Sequence, residues 1–224
     1  MAGKKESTFI NMVLVLFIVT LVASASLGYV YELTKGPIEA AKLAKKLKAI
    51  KEVVPAFDNN PDSEMYEVEM PDGGKLEFYP AKKGEQLVGT AIKTYTNKGF
   101  SGLVWVMVGL KPDGSINNYS ILEHKETPGL GTKMADWFKS DDPKMKKSDI
   151  RGKNPSKINF TVSKDGGDVD AITAATISSR AFLDAVQRAY NAYAQKNLGG
   201  GAGNVEAYTS ATTKTDNLKK GGSN

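Results

Sequence analysis

The 224-residue sequence contains no cysteine and a single histidine, His124. Without cysteine the chain cannot form a disulfide, a thiolate zinc site or a cysteine-ligated iron–sulfur cluster, and it has no thiol nucleophile. One histidine also excludes a metal or haem site built from several histidines of one chain. Chemistry in this protein must therefore use carboxylates, lysines, hydroxyls or an organic cofactor.

A strong excess of one charge is also missing from the sequence. Lysine and arginine total 30 residues and aspartate and glutamate total 25, which gives a net charge of +5. Much of the positive charge lies in one stretch, from Lys35 to Lys51. This distribution does not indicate a nucleic-acid partner, and we predict none.

Charged residues are absent between Ser7 and Tyr31, and the part from Ile10 to Val22 is almost wholly apolar. Because about 20 residues of helix cross a bilayer, we predict a transmembrane helix over 9–31 that follows cytoplasmic residues 1–8. The alternative is a cleaved signal peptide ending near Ala23-Ser24-Ala25, although signal sequences have apolar runs of only about 7–15 residues. Lysines flank the run on both sides, so charge alone leaves the orientation open.

The rest of the chain divides into a predicted folded domain over 32–198 and a tail over 199–224. The tail is rich in glycine, serine, threonine and asparagine, which predicts disorder. An apolar stripe at helical spacing predicts a helix over Pro37–Val54. Lysines occupy the rest of that helix surface, where we expect solvent, with anionic membrane lipid as the alternative.

Strands are predicted over Lys75–Tyr79, Leu87–Tyr95, Gly102–Leu110 and Ser115–Leu122, with Ile158–Val162 as a further candidate. The tetrapeptide Lys111-Pro112-Asp113-Gly114 is typical of the turn of a hairpin. A terminal helix is predicted over Ile177–Asn197, with its aromatic residues in the core. Since the strands precede this helix without regular alternation, we predict an α+β fold, with a mainly antiparallel sheet and flanking helices.

Two segments carry groups suited to ligand binding. The first, His124–Lys133, follows a strand, and its proline and glycines leave backbone N–H groups accessible next to Glu126, Thr127, Thr132 and Lys133. The second, Asp170–Ser179, lies at the start of the terminal helix, where unpaired N–H groups favour an anion. The alternatives are an ordinary turn and a hydroxyl N-cap.

The segment Asp170–Ser178 resembles the acceptor motif for covalent flavin attachment, with Ala174 where the family usually has glycine. Three other segments match the FMN-binding domain family in the same order, and together the motifs span 99–180: Gly99–Gly102, Val106–Leu110 and Glu126–Gly131. The segment Lys164–Asp168 is similar to the G subunit of the Rnf ion-translocating electron-transport complex. The C subunit of the sodium-pumping NADH:quinone reductase is a close relative of that protein.

The resemblance implies that FMN is joined to Thr176 by a phosphoester bond. It also implies further cofactor contacts at Glu126, Thr127, Leu130, Gly131, Thr132, Lys133, Lys164, Thr173, Ala174 and Ser178. Leu130 is expected to pack on the ring, and the two lysines to stabilise the phosphate or an anionic flavin. No Gly-x-Gly-x-x-Gly fingerprint is visible, so an NADH site is not predicted.

The resemblance further implies an electron-transfer subunit of a membrane-bound ferredoxin:NAD oxidoreductase. Its domain is then expected on the periplasmic side of a bacterial inner membrane, loaded by a separate flavin transferase and in contact with other membrane subunits and with lipid. Three alternatives remain: the homologous subunit of a sodium-pumping quinone reductase, a membrane-anchored FMN-binding sensor or carrier, and a flavin-free scaffold in which Thr176 only caps a helix.

Overall fold

The computed structural model describes residues 8–197, so the predicted tail over 199–224 and most of the predicted cytoplasmic segment lie outside the described residues. The chain divides into two compact units, residues 1–46 and 47–224. Most of the first unit belongs to helix α1 (Phe9–Val53), whose side chains are exposed over the apolar run. Among residues 8–197, α1 alone is long and apolar enough to cross a membrane.

The sequence predicts two helices in this region, and the structure has one. Pro37 lies inside α1 instead of at the start of a second helix. A proline removes one helical hydrogen bond and usually kinks or ends a helix. The residues on both sides of Pro37 nevertheless continue the helix, so the predicted break is wrong.

The second unit is built around a five-stranded antiparallel sheet. Its strands follow one another in space as in sequence: β1 (Tyr66–Glu69), β2 (Lys75–Lys83), β3 (Gln86–Gly99), β4 (Gly102–Leu110) and β5 (Ile116–Glu123). The four longer strands overlap the four firm strand predictions, and Lys111–Gly114 falls in the turn between β4 and β5. The sheet and the helices confirm the predicted α+β class.

The two faces of the sheet carry separate apolar clusters. Helix α3 (Thr176–Asn197) covers one face, where Phe182 and Val186 join a core that includes Ile92 and Val106. A hydrogen bond from β3 helps to hold this helix on the sheet: Thr94 Oγ1 donates to the carbonyl oxygen of Ala185 at 3.0 Å. The predicted burial of aromatic residues on this helix is confirmed.

The opposite face packs against the last turns of α1. Ile50 and Val53 are fully buried there against Tyr79 and Met107. The side-chain amide of Asn117, on β5, donates to the carbonyl oxygen of Val53 at 2.8 Å, which satisfies one of the orphan carbonyls at the helix end.

Two short elements differ from the sequence predictions. Strand β1 is not predicted: its four residues alternate between partly buried and exposed positions, but four residues are too few for a firm periodicity. The prediction of a strand over Ile158–Val162 is wrong: within this segment only Val162 forms a β-bridge, and its partner is Val169. Asn159 instead hydrogen-bonds Asp168 and Gly166, so this segment folds into a loop. That loop contains a 3-10 turn, Ser163–Asp165.

Candidate functional site

Antiparallel pairing brings the predicted motifs to one end of the sheet. Strand β3 ends at Gly99, β4 begins at Gly102, and β5 ends at Glu123, just before the second motif. The first turn of α3 completes the same region. A cleft of about 320 Å³ lies there, lined by Phe100, Glu126, Thr127, Leu130, Gly131 and the run 174–178.

The wall of the cleft formed by 174–178 is a tight turn that leads into α3. The Ala175 N–H donates to the Ile172 carbonyl oxygen at 3.0 Å. The fully buried Ser179 hydroxyl donates to the Ala175 carbonyl oxygen at 2.9 Å and accepts the Ile172 N–H at 2.9 Å. Ala174 has φ 62°, the only positive φ of a non-glycine residue between 8 and 197.

The hydroxyl of Thr176 lies at the first residue of α3, with a lysine beside it. Lys164 Nζ donates to Thr176 Oγ1 at 3.3 Å. Lys164 belongs to the 3-10 turn, and its neighbour Asp165 accepts two hydrogen bonds, each 2.7 Å long, from the Arg180 guanidinium of α3. This pairing lowers the pKa of Asp165 and anchors the turn that carries Lys164.

A buried carboxylate forms the floor of the cleft. Glu126 is only 4% exposed and is bound from two sides. The Ser101 N–H, in the β3–β4 turn, donates to Glu126 Oε1 at 3.0 Å, and the Ser178 hydroxyl, on α3, donates to Glu126 Oε2. The carboxylate therefore links three segments that are distant in sequence. His124, the only histidine, accepts the Glu126 N–H at 3.2 Å.

Two glycines leave the space that this carboxylate occupies. A Cβ atom at Gly131 would lie 2.5 Å from Ser178 Oγ and 2.6 Å from Glu126 Oε2. A Cβ atom at Gly99 would lie 2.7 Å from Glu126 Oε1 and 2.2 Å from the carbonyl oxygen of Gly102. All four distances are shorter than real Cβ atoms allow, so a side chain at either position would displace the floor of the cleft.

The mouth of the cleft is apolar and open to solvent. Phe100, Leu130 and Ile177 are exposed by 66%, 39% and 48%, and all three line the cleft. Exposed apolar side chains that adjoin one another are typical of ligand or protein contacts.

The structure brings together seven of the residues that the sequence predicts for the site. These residues line the cleft: Glu126, Thr127, Leu130, Gly131, Ala174, Thr176 and Ser178. Lys164 reaches it through its hydrogen bond to Thr176. The other three are not on the lining: Thr132 Oγ1 accepts the Gly129 N–H, and Lys133 and Thr173 are exposed.

Sequence reasoning missed several contributors to this site. Phe100 lies between the glycines of a motif that the resemblance already marks, so a signal for it was present. The sequence patterns assign Ile177 only to the terminal helix. The Arg180–Asp165 pair and the Ser101–Glu126 bond join residues far apart in the chain, and no spacing rule could have found them.

The residues of the cleft fit FMN. A volume of about 320 Å³ lies within the range of roughly 300–1,000 Å³ that is usual for small-molecule sites. The apolar mouth suits a flat aromatic ring. The start of α3 and the Lys164 amino group suit a phosphate, because helix N-termini and ammonium groups both favour negative charge.

Comparisons with known proteins agree with this assignment. The sequence profile of the FMN-binding domain matches residues 99–191. The chain is 36% identical over 164 residues to the G subunit of the ion-translocating oxidoreductase complex of Erwinia tasmaniensis, covering 69% of this chain and 75% of the relative. It is 32% identical over 186 residues to the protein of the same name from Pasteurella multocida, covering 78% and 88%. The chain therefore belongs to the FMN-binding domain family, in the group formed by the G subunits of ion-translocating oxidoreductase complexes.

Proposed function

We propose that this chain is the flavin-carrying electron-transfer subunit of a membrane-bound, Rnf-type ferredoxin:NAD oxidoreductase, with FMN joined to Thr176 by a phosphoester bond. The observation that carries the proposal is the place of the Thr176 hydroxyl. It lies on the wall of the cleft, at the first residue of a 22-residue helix and 3.3 Å from the Lys164 amino group.

The local charges favour an esterified phosphate at this hydroxyl. A phosphodiester retains one negative charge, and the first N–H groups of α3 have no partners within the helix. The first turn of α3 contains no acidic residue that would compete for the helix N-terminus. Lys164 supplies a cation beside Thr176, on a turn anchored by the Arg180–Asp165 pair.

The remaining residues of the cleft bind and orient the flavin. Leu130, Phe100 and Ile177 offer apolar surface to its ring and exclude water from the face they cover. Thr127 offers a hydroxyl to the polar edge of the ring. The flavin supplies the redox chemistry, while the protein supplies position and electrostatics.

Helix α1 anchors the protein in the membrane in this proposal. Its apolar run is long enough to cross the hydrocarbon layer and would contact lipid directly. The relatives are named as subunits of an ion-translocating complex, which supports the other membrane subunits as partners. We propose that the flavin domain lies on the periplasmic side of a bacterial inner membrane and receives FMN from a separate flavin transferase.

The attachment is tested by co-expressing the full chain with a flavin transferase and viewing a denaturing gel under ultraviolet light. We expect a fluorescent band that Thr176→Ala abolishes. Thr161→Ala is the matched control: Thr161 is an exposed threonine that lies outside the acceptor motif and off the cleft lining, so its variant should keep the band. A non-fluorescent wild-type band, or a fluorescent Thr176→Ala band, would contradict the proposal.

Membership of the complex is tested by purifying the tagged full chain from membranes in mild detergent. We expect the partner subunits to co-purify with ferredoxin:NAD oxidoreductase activity. Co-purification with NADH:quinone reductase activity instead would assign the chain to the homologous sodium-pumping complex. A protease that digests the domain in intact spheroplasts, but leaves a cytoplasmic marker whole, would establish the periplasmic side.

A further inference from the structure

The unusual feature of the cleft is that its floor is a carboxylate. Glu126 lies among residues expected to contact an anionic cofactor, yet it is a negative side chain with almost no exposure to water. Burial of a charged group without compensation is costly, so such a group is usually retained for a reason. The two donors on it are an amide N–H and a hydroxyl, both uncharged.

We propose that Glu126 is a positioning residue whose buried charge also lowers the reduction potential of a flavin bound in the cleft. Its carboxylate connects the β3–β4 turn, through Ser101, with the start of α3, through Ser178. This proposal rests on the proposed function, since it concerns a flavin held beside Thr176.

The positioning role follows from the contacts. Ser178 is two residues after Thr176, and Ser101 is next to Phe100. The Glu126 side chain therefore fixes the distance between the start of α3, which carries the Thr176 hydroxyl, and the β3–β4 turn, which carries Phe100. Gly99 and Gly131 leave just enough room for it, as the close contacts of a Cβ atom at either position show.

The effect on potential follows from charge. Uptake of two electrons and one proton by a flavin adds one negative charge to its ring. A carboxylate in a site shielded from water opposes that added charge more strongly than an exposed one, because the effective dielectric constant is lower there. The Ser101 and Ser178 hydrogen bonds redistribute the Glu126 charge, but neither donor brings a compensating positive charge.

The test is a redox titration of the flavinylated full chain, with Glu126→Gln as the main variant. Glutamine keeps the shape and an acceptor for the Ser101 N–H, and its amide can donate to Ser178 Oγ. We therefore expect the fluorescent band to remain and the midpoint potential to rise. Glu123→Gln is the matched control: Glu123 is an exposed carboxylate at the end of β5, so its charge is screened and the potential should not change.

Two further variants separate the effect of the Glu126 charge on the potential from its positioning role. Glu126→Ala loses both hydrogen bonds, so we expect weaker flavin fluorescence on the gel and a lower urea midpoint of the flavin-free chain. Ser178→Ala keeps the charge but removes one donor from it, so the potential should fall. This variant tests the charge even where Glu126→Gln does not fold.

Unchanged or lower potential in Glu126→Gln, or a raised potential in Ser178→Ala, would overturn the inference while leaving the proposed function intact. An equal rise in Glu123→Gln would also overturn it, because burial would then not matter. A wild-type chain without covalent flavin would overturn both proposals, and the gel shows that outcome before any titration.

Discussion

The left-handed backbone at Ala174 gives the sharpest test of the acceptor turn. Its φ of 62° is unfavourable for any residue with a Cβ atom. Ala174→Gly should relieve the strain without removing any hydrogen bond of the turn. Ala174→Val should increase it, because a β-branched residue at positive φ is a genuine outlier.

The size of the effect follows from two opposing terms. An L-residue in the left-handed region costs about 1–2 kcal/mol, while glycine loses about 0.5–1 kcal/mol more backbone entropy on folding than alanine. We expect Ala174→Gly to raise the free energy of unfolding by about 0.5–1 kcal/mol, and the melting temperature by roughly 1–4 °C for a chain of this size. Ala174→Val should lower the free energy of unfolding by about 1–3 kcal/mol.

The assay is urea unfolding of the full chain in detergent without flavin, followed by tryptophan fluorescence. Ala175→Gly is the matched control: Ala175 is buried at 7% exposure and has no positive φ, so this change loses a methyl group and about 1–2 kcal/mol in total. If Ala174→Gly is as destabilising as Ala175→Gly, the left-handed geometry is refuted. With the transferase present, the flavin yield should be undiminished in Ala174→Gly and reduced in Ala174→Val.

Three further predictions concern the surroundings of the cleft. Gly131→Ala overpacks the buried floor, so urea unfolding should show a loss of about 1–3 kcal/mol and the gel a weaker fluorescent band. Arg180→Gln removes the group that lowers the pKa of Asp165, so urea unfolding near neutral pH should show a loss of less than about 1 kcal/mol. This difference should begin to shrink below about pH 4, the ordinary range of an aspartate, and should vanish only when the pH falls through the lowered pKa of Asp165 in the folded chain. Phe182→Ala removes a fully buried ring that stacks on Phe138 at 4.4 Å, and should cost about 3–5 kcal/mol in a chemical unfolding curve, whereas Phe182→Leu should cost clearly less.

Much of the fold follows from local patterns in the sequence. Alternation along Gly102–Leu110 and the turn residues after it predict the β4–β5 hairpin, since side chains of a strand point alternately to its two faces. The apolar positions of α3 predict its buried side in the same way. The errors occur where the structure departs from the local preference of the residues. Helix α1 continues through Pro37, although proline usually ends a helix. The apolar segment Ile158–Val162 forms hydrogen bonds within a loop instead of joining the sheet.

The sequence predicts which segments form the site, but not how their side chains are arranged in space. The motifs mark Glu126, Thr176 and Lys164 individually, and two of these three lie on the cleft lining. That Glu126 binds Ser178, 52 residues later in the chain, depends on α3 lying across β3 with its first turn at the end where β5 stops. Packing between elements determines this placement, and neither periodicity nor spacing contains it.

The shape of the cleft gives a physical reason for the proposed covalent bond. Small-molecule sites that hold their ligands tightly bury some 70–90% of the ligand surface. This cleft has a volume of about 320 Å³, at the lower end of the usual range, and its apolar walls at Phe100, Leu130 and Ile177 remain exposed.

Contacts of that extent hold a ring in orientation but give limited affinity, because association also costs translational and rotational freedom. The proposed ester bond to Thr176 would remove that cost and would leave part of the ring accessible to electron-transfer partners. It follows that free FMN, added at micromolar concentration, should not restore flavin to Thr176→Ala after gel filtration. Stoichiometric retention would mean that the cleft encloses FMN far better than its exposed walls indicate.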